Sequence, residues 1–170
     1  MNQKRKSEVD KILQLQKKIS QLSDDELKAK TEEFRKKPVK DIKLESFAVV
    51  KEAAKRVIGL DAFPVQLMGA LALYDGKVVE MKTGEGKTLV SIFPAYVRAL
   101  EEKGVHIVTV NEYLAQRDAK WMGQVLEFLG LSVGVSLNDM SSIDKRNAYS
   151  CDVTYVTNTE IGFDYLRGFL

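Results

Sequence analysis

The 170-residue sequence is short of several things at once: it holds one cysteine, one histidine, one tryptophan and three prolines. A lone cysteine, Cys151, excludes an internal disulfide and fits a reducing cytoplasm. It is expected to be a small buried residue at a strand start. No run of about 18 apolar residues is present, so no membrane-spanning helix is expected. The opening MNQKRKSEVDK has neither the apolar centre nor the cleavage site of a secretory signal, and none is expected. Repeats and low-complexity tracts are missing too. The single histidine, His106, alternates with Val105 and Ile107, which predicts a strand position facing solvent or a loop rather than a metal ligand.

What is there is ordinary globular material, 45% apolar and 29% charged, with a formal net charge of +2. That small net hides an asymmetry. Residues 1–58 carry 16 Lys and Arg against 10 Asp and Glu, and residues 59–170 carry 10 against 14. The acidic second part is a poor electrostatic partner for a phosphate backbone, so no nucleic acid is expected as a partner.

The same boundary divides the pattern of elements: a helical segment over 1–58, then an α/β unit over 59–170. Ile12, Leu15, Ile19 and Leu22 recur at spacings of three and four, with Lys11, Lys17 and Lys18 elsewhere around the turn. This basic amphipathic helix is expected to pack on the protein or stay exposed, an acidic membrane surface being the alternative. Ser23 and Glu26 form a capping box that starts a second helix, and Pro38 stops it. A third is expected over 45–58, with Phe47, Val50, Ala54 and Val57 on one face and Gly59 as its stop.

From Gly59 on, Pro64 opens a short apolar helix, and Tyr74-Asp75-Gly76-Lys77 turns the chain. Four strand–helix units follow, with strands predicted at 78–81, 105–110, 133–137 and 153–156 and helices starting near Lys87, Glu112, Ser142 and Thr159. Such alternation predicts a parallel sheet covered by helices on both faces, with ligands at the carboxyl ends of the strands. Pro94 should bend the helix after Lys87, because the hydrogen bond to Val90 is lost. Trp121, Met122, Val125, Leu126 and Leu129 form a helical stripe that core contacts would explain.

The stretch VVEMKTGEGKT, residues 78–88, carries the chemistry. The P-loop signature asks for Gly, four residues, then Gly-Lys-Ser/Thr, and Met81 stands where the first Gly belongs. Thr83, Gly84, Glu85, Gly86, Lys87 and Thr88 nonetheless keep every group that would touch a phosphate. Gly84 and Gly86 permit close backbone approach, Lys87 would sit on the β and γ phosphates, and the Thr88 hydroxyl would ligate magnesium. A loop between a strand and an apolar helix also gathers unpaired N–H groups and the positive end of a helix dipole. The other reading is a glycine turn followed by a chance Lys-Thr.

Several segments together resemble one family, SecA, the ATP-driven motor of bacterial preprotein export. They are LSDDELKAKTEEF at 22–34, FPVQL around Gln66, EMKTGEGKT at 80–88, VTVNEYLAQRDAKWMG at 108–123, EFLGL at 127–131 and TNTEIGFDYLR at 157–167. Met81 in place of the first P-loop glycine is how that family's loop reads as well. The resemblance implies a first RecA-like, P-loop nucleotide-binding domain that takes ATP or ADP with Mg2+. It makes Gln66, 21 residues before Lys87, the side chain that reads adenine, since an amide offers both a donor and an acceptor. A polar residue on a short helix is the alternative. Arg117 falls in a motif near the nucleotide or the substrate-side cleft, or else pairs with Asp118 or Glu112. Where the family reads GTNNEFGFDYLRD, this chain has Val156, Thr159, Ile161 and Gly168, a departure that suits a divergent or accessory SecA.

In the complete family member, ATP hydrolysis between two such domains would drive unfolded preproteins through the SecYEG channel. The resemblance therefore implies SecYEG, preproteins and acidic membrane lipids as partners, with a homodimer open. It also implies a cytoplasmic location at the inner face of the cell membrane. Neither the acidic pair that activates water nor an arginine finger is matched before Leu170, so this chain is expected to bind nucleotide without efficient hydrolysis. Two other readings stay open. A superfamily 2 nucleic-acid helicase shares the layout of Gln66 and Lys87, but would carry Pro-Thr-Arg-Glu where Val110-Asn111-Glu112-Tyr113 stands. The last reading is a non-catalytic nucleotide-binding fragment.

Overall fold

The computed structural model describes residues 2–82 and 86–170. The first 58 residues form three helices, α1 (Gln3–Ile19), α2 (Asp24–Arg35) and α3 (Val39–Ile58). In α1 the predicted stripe turns inward: Val9, Ile12 and Ile19 are buried where α1 packs on α3, while Lys11, Lys17 and Lys18 stay exposed. At α2 both halves of the capping box form. Ser23 Oγ accepts from the Glu26 N–H, and a Glu26 carboxylate oxygen accepts from the Ser23 N–H, each at 3.2 Å.

The third helix begins six residues earlier than expected, at Val39 rather than Glu45. Pro38, which ends one helix by lacking an N–H, sits as the N-cap of the next, and its carbonyl accepts from the Asp41 N–H at 2.9 Å. Ile42 then joins Ser46, Val49, Val50 and Ala53 on a buried face at helical spacing. Gly59 closes the helix with φ +70°, as its sequence position predicts.

The second part supplies α4 (Pro64–Tyr74), α5 (Lys87–Ala99), β1 (Val105–Thr109), α6 (Glu112–Phe128), β2 (Val133–Ser136), α7 (Ser142–Tyr149), β3 (Val153–Thr157) and α8 (Asn158–Leu166). The strands make one parallel sheet in the order β1-β3-β2, with Val153 opposite both Val105 and Val133. The central strand β3 is buried along its whole length, as a parallel strand covered on both faces must be. Val153 and Tyr155 face the main core with α6. On the other face, Thr154 donates to the Ala148 carbonyl of α7 at 2.7 Å, and α8 covers the carboxyl end. His106 is exposed in β1, edge-on to the Tyr149 ring at 5.4 Å.

One predicted strand does not form. Among the described residues the sheet has three strands, and 78–81 pairs with none of them. A β-branched run fits a pleated surface but becomes a strand only when a neighbour supplies the ladder. Here Val78 is fully exposed, and Val79 and Met81 lie along α4 beside Gly69. Cys151 is half-buried in the bend before β3 rather than enclosed, its thiol 3.5 Å from the Asn147 carbonyl. The helix α5 continues through Pro94.

One apolar core runs from Val9 of α1 through Phe47 and Val50 of α3 and Phe93 and Tyr96 of α5 to Tyr155 of β3. The buried hydroxyl of Thr31 joins α2 to this core. It donates to the Leu129 carbonyl at 2.6 Å, so the Tyr96 hydroxyl, 2.7 Å away, donates to it.

Candidate functional site

The geometry centres on the start of α5. Gly86 is its N-cap in the left-handed region, φ +77°, and its carbonyl accepts from the Val90 N–H at 3.1 Å. Glycine is required twice over here. A side chain is strained at this φ, and a Cβ would overlap the side-chain nitrogen of Gln66. Gln66 is buried in α4, and its Oε1 accepts from the Phe63 N–H at 2.8 Å, folding the amide back over the start of its own helix. Pro64, at the first turn of α4, needs no N–H partner there.

Gln66, Gly86 and Thr88, three of the residues picked from sequence, line one cavity of about 250 Å³ with Leu60, Asp61, Phe63, Leu89 and Trp121. Thr88 is half-buried, and its carbonyl accepts the Ser91 hydroxyl at 2.7 Å. Lys87 is exposed at the first position of α5. Thr83, Gly84 and Glu85 lie outside the described residues. Arg117 is not in the cavity wall: its Nε and Nη2 both donate to Asp118 Oδ1, at 3.0 and 2.9 Å. A larger opening of about 370 Å³, walled by Val65, Met68, Val79 and Met81, holds none of the predicted site residues.

Trp121 corrects an expectation. Met122, Val125, Leu126 and Leu129 are fully buried as predicted, but Trp121 is 40% exposed and forms part of the cavity wall. In α6 the buried positions run Ala115, Asp118, Met122, Gly123, Val125 and Leu126, and position 121 falls just off that face. Asp61, which also lines the cavity, pairs with the buried Lys51 and, at 3.9 Å, with Lys55.

The segment 157–167 reveals a second constellation that no local pattern announced. Thr157 caps α8 by accepting from the Glu160 N–H at 3.1 Å. Lys145 of α7 is buried and donates to Glu160 and, at 2.8 Å, to Asp164. Asp164 also accepts from Ser136 at 2.8 Å and Tyr149 at 2.7 Å. Burial alone would raise the Asp164 carboxyl, yet hydrogen bonds from Lys145, Tyr149 and Ser136 outweigh it and hold it below the usual carboxylate range. Burial would likewise lower Lys145, but the two carboxylates push it up. Burial, then the bonded Asp164 carboxylate, pushes the Tyr149 hydroxyl up. Glu160 and Asp164 thus tie α8 to α7 and β2.

These features define an α/β protein in which a parallel sheet lies between helices, with a glycine turn opening α5 against an amide-bearing helix. The description of the SecA DEAD-like domain matches residues 1–170, and the chain belongs to that family. It is 58% identical over 163 residues to the protein translocase subunit SecA of Lachnoclostridium phytofermentans, covering 93% of this chain and 19% of that protein. Against the protein translocase subunit SecA 2 of Bacillus thuringiensis subsp. konkukian it is 58% identical, covering 94% and 21%. Against the SecA subunit of Ruthia magnifica it is 55% identical, covering 94% and 18%. The chain therefore spans about a fifth of the length of the curated relatives it matches.

Proposed function

We propose that this chain is the adenine-nucleotide-binding part of a SecA-type motor, with residues 59–170 as the first part of a RecA-like P-loop domain and 1–58 as a helical segment before it. The observation that supports this best is the single cavity shared by Gln66, Gly86 and Thr88. Gln66 would address the base, and Thr83, Gly84, Glu85, Gly86 and Lys87 the phosphates, Lys87 adding a positive charge at the positive end of α5. The left-handed Gly86 suits a backbone that must approach phosphate closely. Among the described residues no three His, Cys, Asp or Glu side chains converge, so magnesium would rest on the Thr88 hydroxyl and on phosphate oxygens, where it would neutralise phosphate charge.

In the longer protein, this site would couple ATP hydrolysis to movement of preproteins through SecYEG at the inner face of the cell membrane. The exposed Lys11, Lys17 and Lys18 of α1 would be available to acidic lipid. No described helix is long and apolar enough to cross a membrane. The isolated chain would hold nucleotide with little turnover. Titrating labelled ADP against the chain and a Lys87→Ala variant tests the site: the variant should bind far more weakly, and equal affinity would reduce the loop to a turn.

A further inference from the structure

We propose that Trp121 is the stacking wall of the base subsite and sets its preference for a nucleotide base over bare phosphate, an inference that rests on the nucleotide reading above. Three observations carry it. Trp121 departs from its helical stripe: its companions Met122, Val125 and Leu126 are fully buried, whereas Trp121 is 40% exposed and lines the cavity together with Gln66 and Gly86.

The composition of the wall is the second observation. Phe63 and Trp121 bring two aromatic residues to the lining, and Leu60 and Leu89 bring aliphatic ones. The polar groups, Gln66, Asp61 and Thr88, are few. An apolar enclosure with a small number of hydrogen-bonding groups suits a heteroaromatic ring, whereas a site for phosphate alone would be lined by donors. Size is the third. About 250 Å³ is below the roughly 300–1,000 Å³ that encloses a whole drug-sized ligand, so the cavity fits a base with its phosphates outside, toward Lys87.

Trp121 is the chain's only tryptophan, so its emission reports on this cavity alone. The experiment measures ADP and inorganic tripolyphosphate binding by equilibrium dialysis for the unmodified chain and for Lys87→Ala, Trp121→Ala and Trp121→Phe, with tryptophan emission followed in parallel for the unmodified chain and Lys87→Ala, which keep Trp121. ADP should change the emission with the half-saturation that dialysis gives. Trp121→Ala should weaken ADP about tenfold or more, the scale of one base–aromatic stack, and leave tripolyphosphate unchanged. Trp121→Phe should keep ADP within about threefold. Lys87→Ala should weaken both ligands.

If Trp121→Ala binds ADP as the unmodified chain does while Lys87→Ala fails to, the proposal falls and the nucleotide site stands. Equal weakening of ADP and tripolyphosphate by Trp121→Ala would make the residue merely structural and also overturns it. Should the unmodified chain bind neither ligand, the nucleotide reading fails and takes the proposal with it.

Discussion

The amide of Gln66 lies so close to Gly86 that a Cβ at position 86 would overlap its nitrogen. Residues 20 apart in sequence are thereby locked, one on α4 and one at the mouth of α5. Gly86→Ala forces a left-handed backbone onto a residue that resists it, at about 1–2 kcal/mol, and pushes the Gln66 side chain aside. The thermal midpoint without nucleotide should drop by several degrees, and ADP affinity should fall as well. An unchanged midpoint in a thermal melt would contradict the contact.

Lys145 neutralises two carboxylates out of water. Lys145→Ala leaves Glu160 and Asp164 buried without their cation, a change that costs about 3–5 kcal/mol for buried pairs. Urea titration should show this loss, and α8 amides should exchange hydrogen faster than those of α3.

Acid should weaken the same cluster. The Asp164 carboxyl is held below its ordinary value of 3.8, so its contribution is complete above that pH and is lost as pH falls through the lower folded value. Asp164→Asn should flatten the fall in urea midpoint below about pH 4.

His106 acts at milder pH. Although much of its ring meets solvent, partial desolvation among its neighbours lowers its folded value below 6.5, so the unfolded chain takes up the proton first and stability declines as pH drops below 6.5. A His106→Asn variant should lose that part of the pH dependence when midpoints are compared between pH 7.5 and 5.5.

Thr31 ties the N-terminal helices to the rest. Thr31→Val leaves the Tyr96 hydroxyl and the Leu129 carbonyl buried without this partner, and unfolding free energy should fall by about 1–3 kcal/mol in a denaturant titration.

Local signals were faithful where local physics decides. The Ser23–Glu26 capping box, the Gly59 stop, the Pro64 helix start and the onsets of α5, α6 and α7 all stand where residue type and spacing put them. Three readings depended on neighbours that a linear pattern does not contain. Residues 78–81 have strand-forming side chains but no pairing partner among the described residues. Pro38 was legible as a stop and not as the start of α3, because that role depends on Ile42 finding the core. Trp121 belongs to an apolar stripe by composition, and only its angle on α6 shows that it faces a cavity.

The sequence by itself determined the order of the helices and of the three strands that form, the basic character of the first 58 residues and the glycine–lysine–threonine run, because periodicity, capping and turn chemistry act within a few residues. The tertiary structure decided which of these residues meet. Gln66 reaches Gly86, Trp121 reaches the same cavity, and Lys145 reaches Glu160 and Asp164 only because α4, α5, α6, α7 and α8 are fixed against one core, and contacts between distant residues are settled by that burial rather than by any neighbour along the chain.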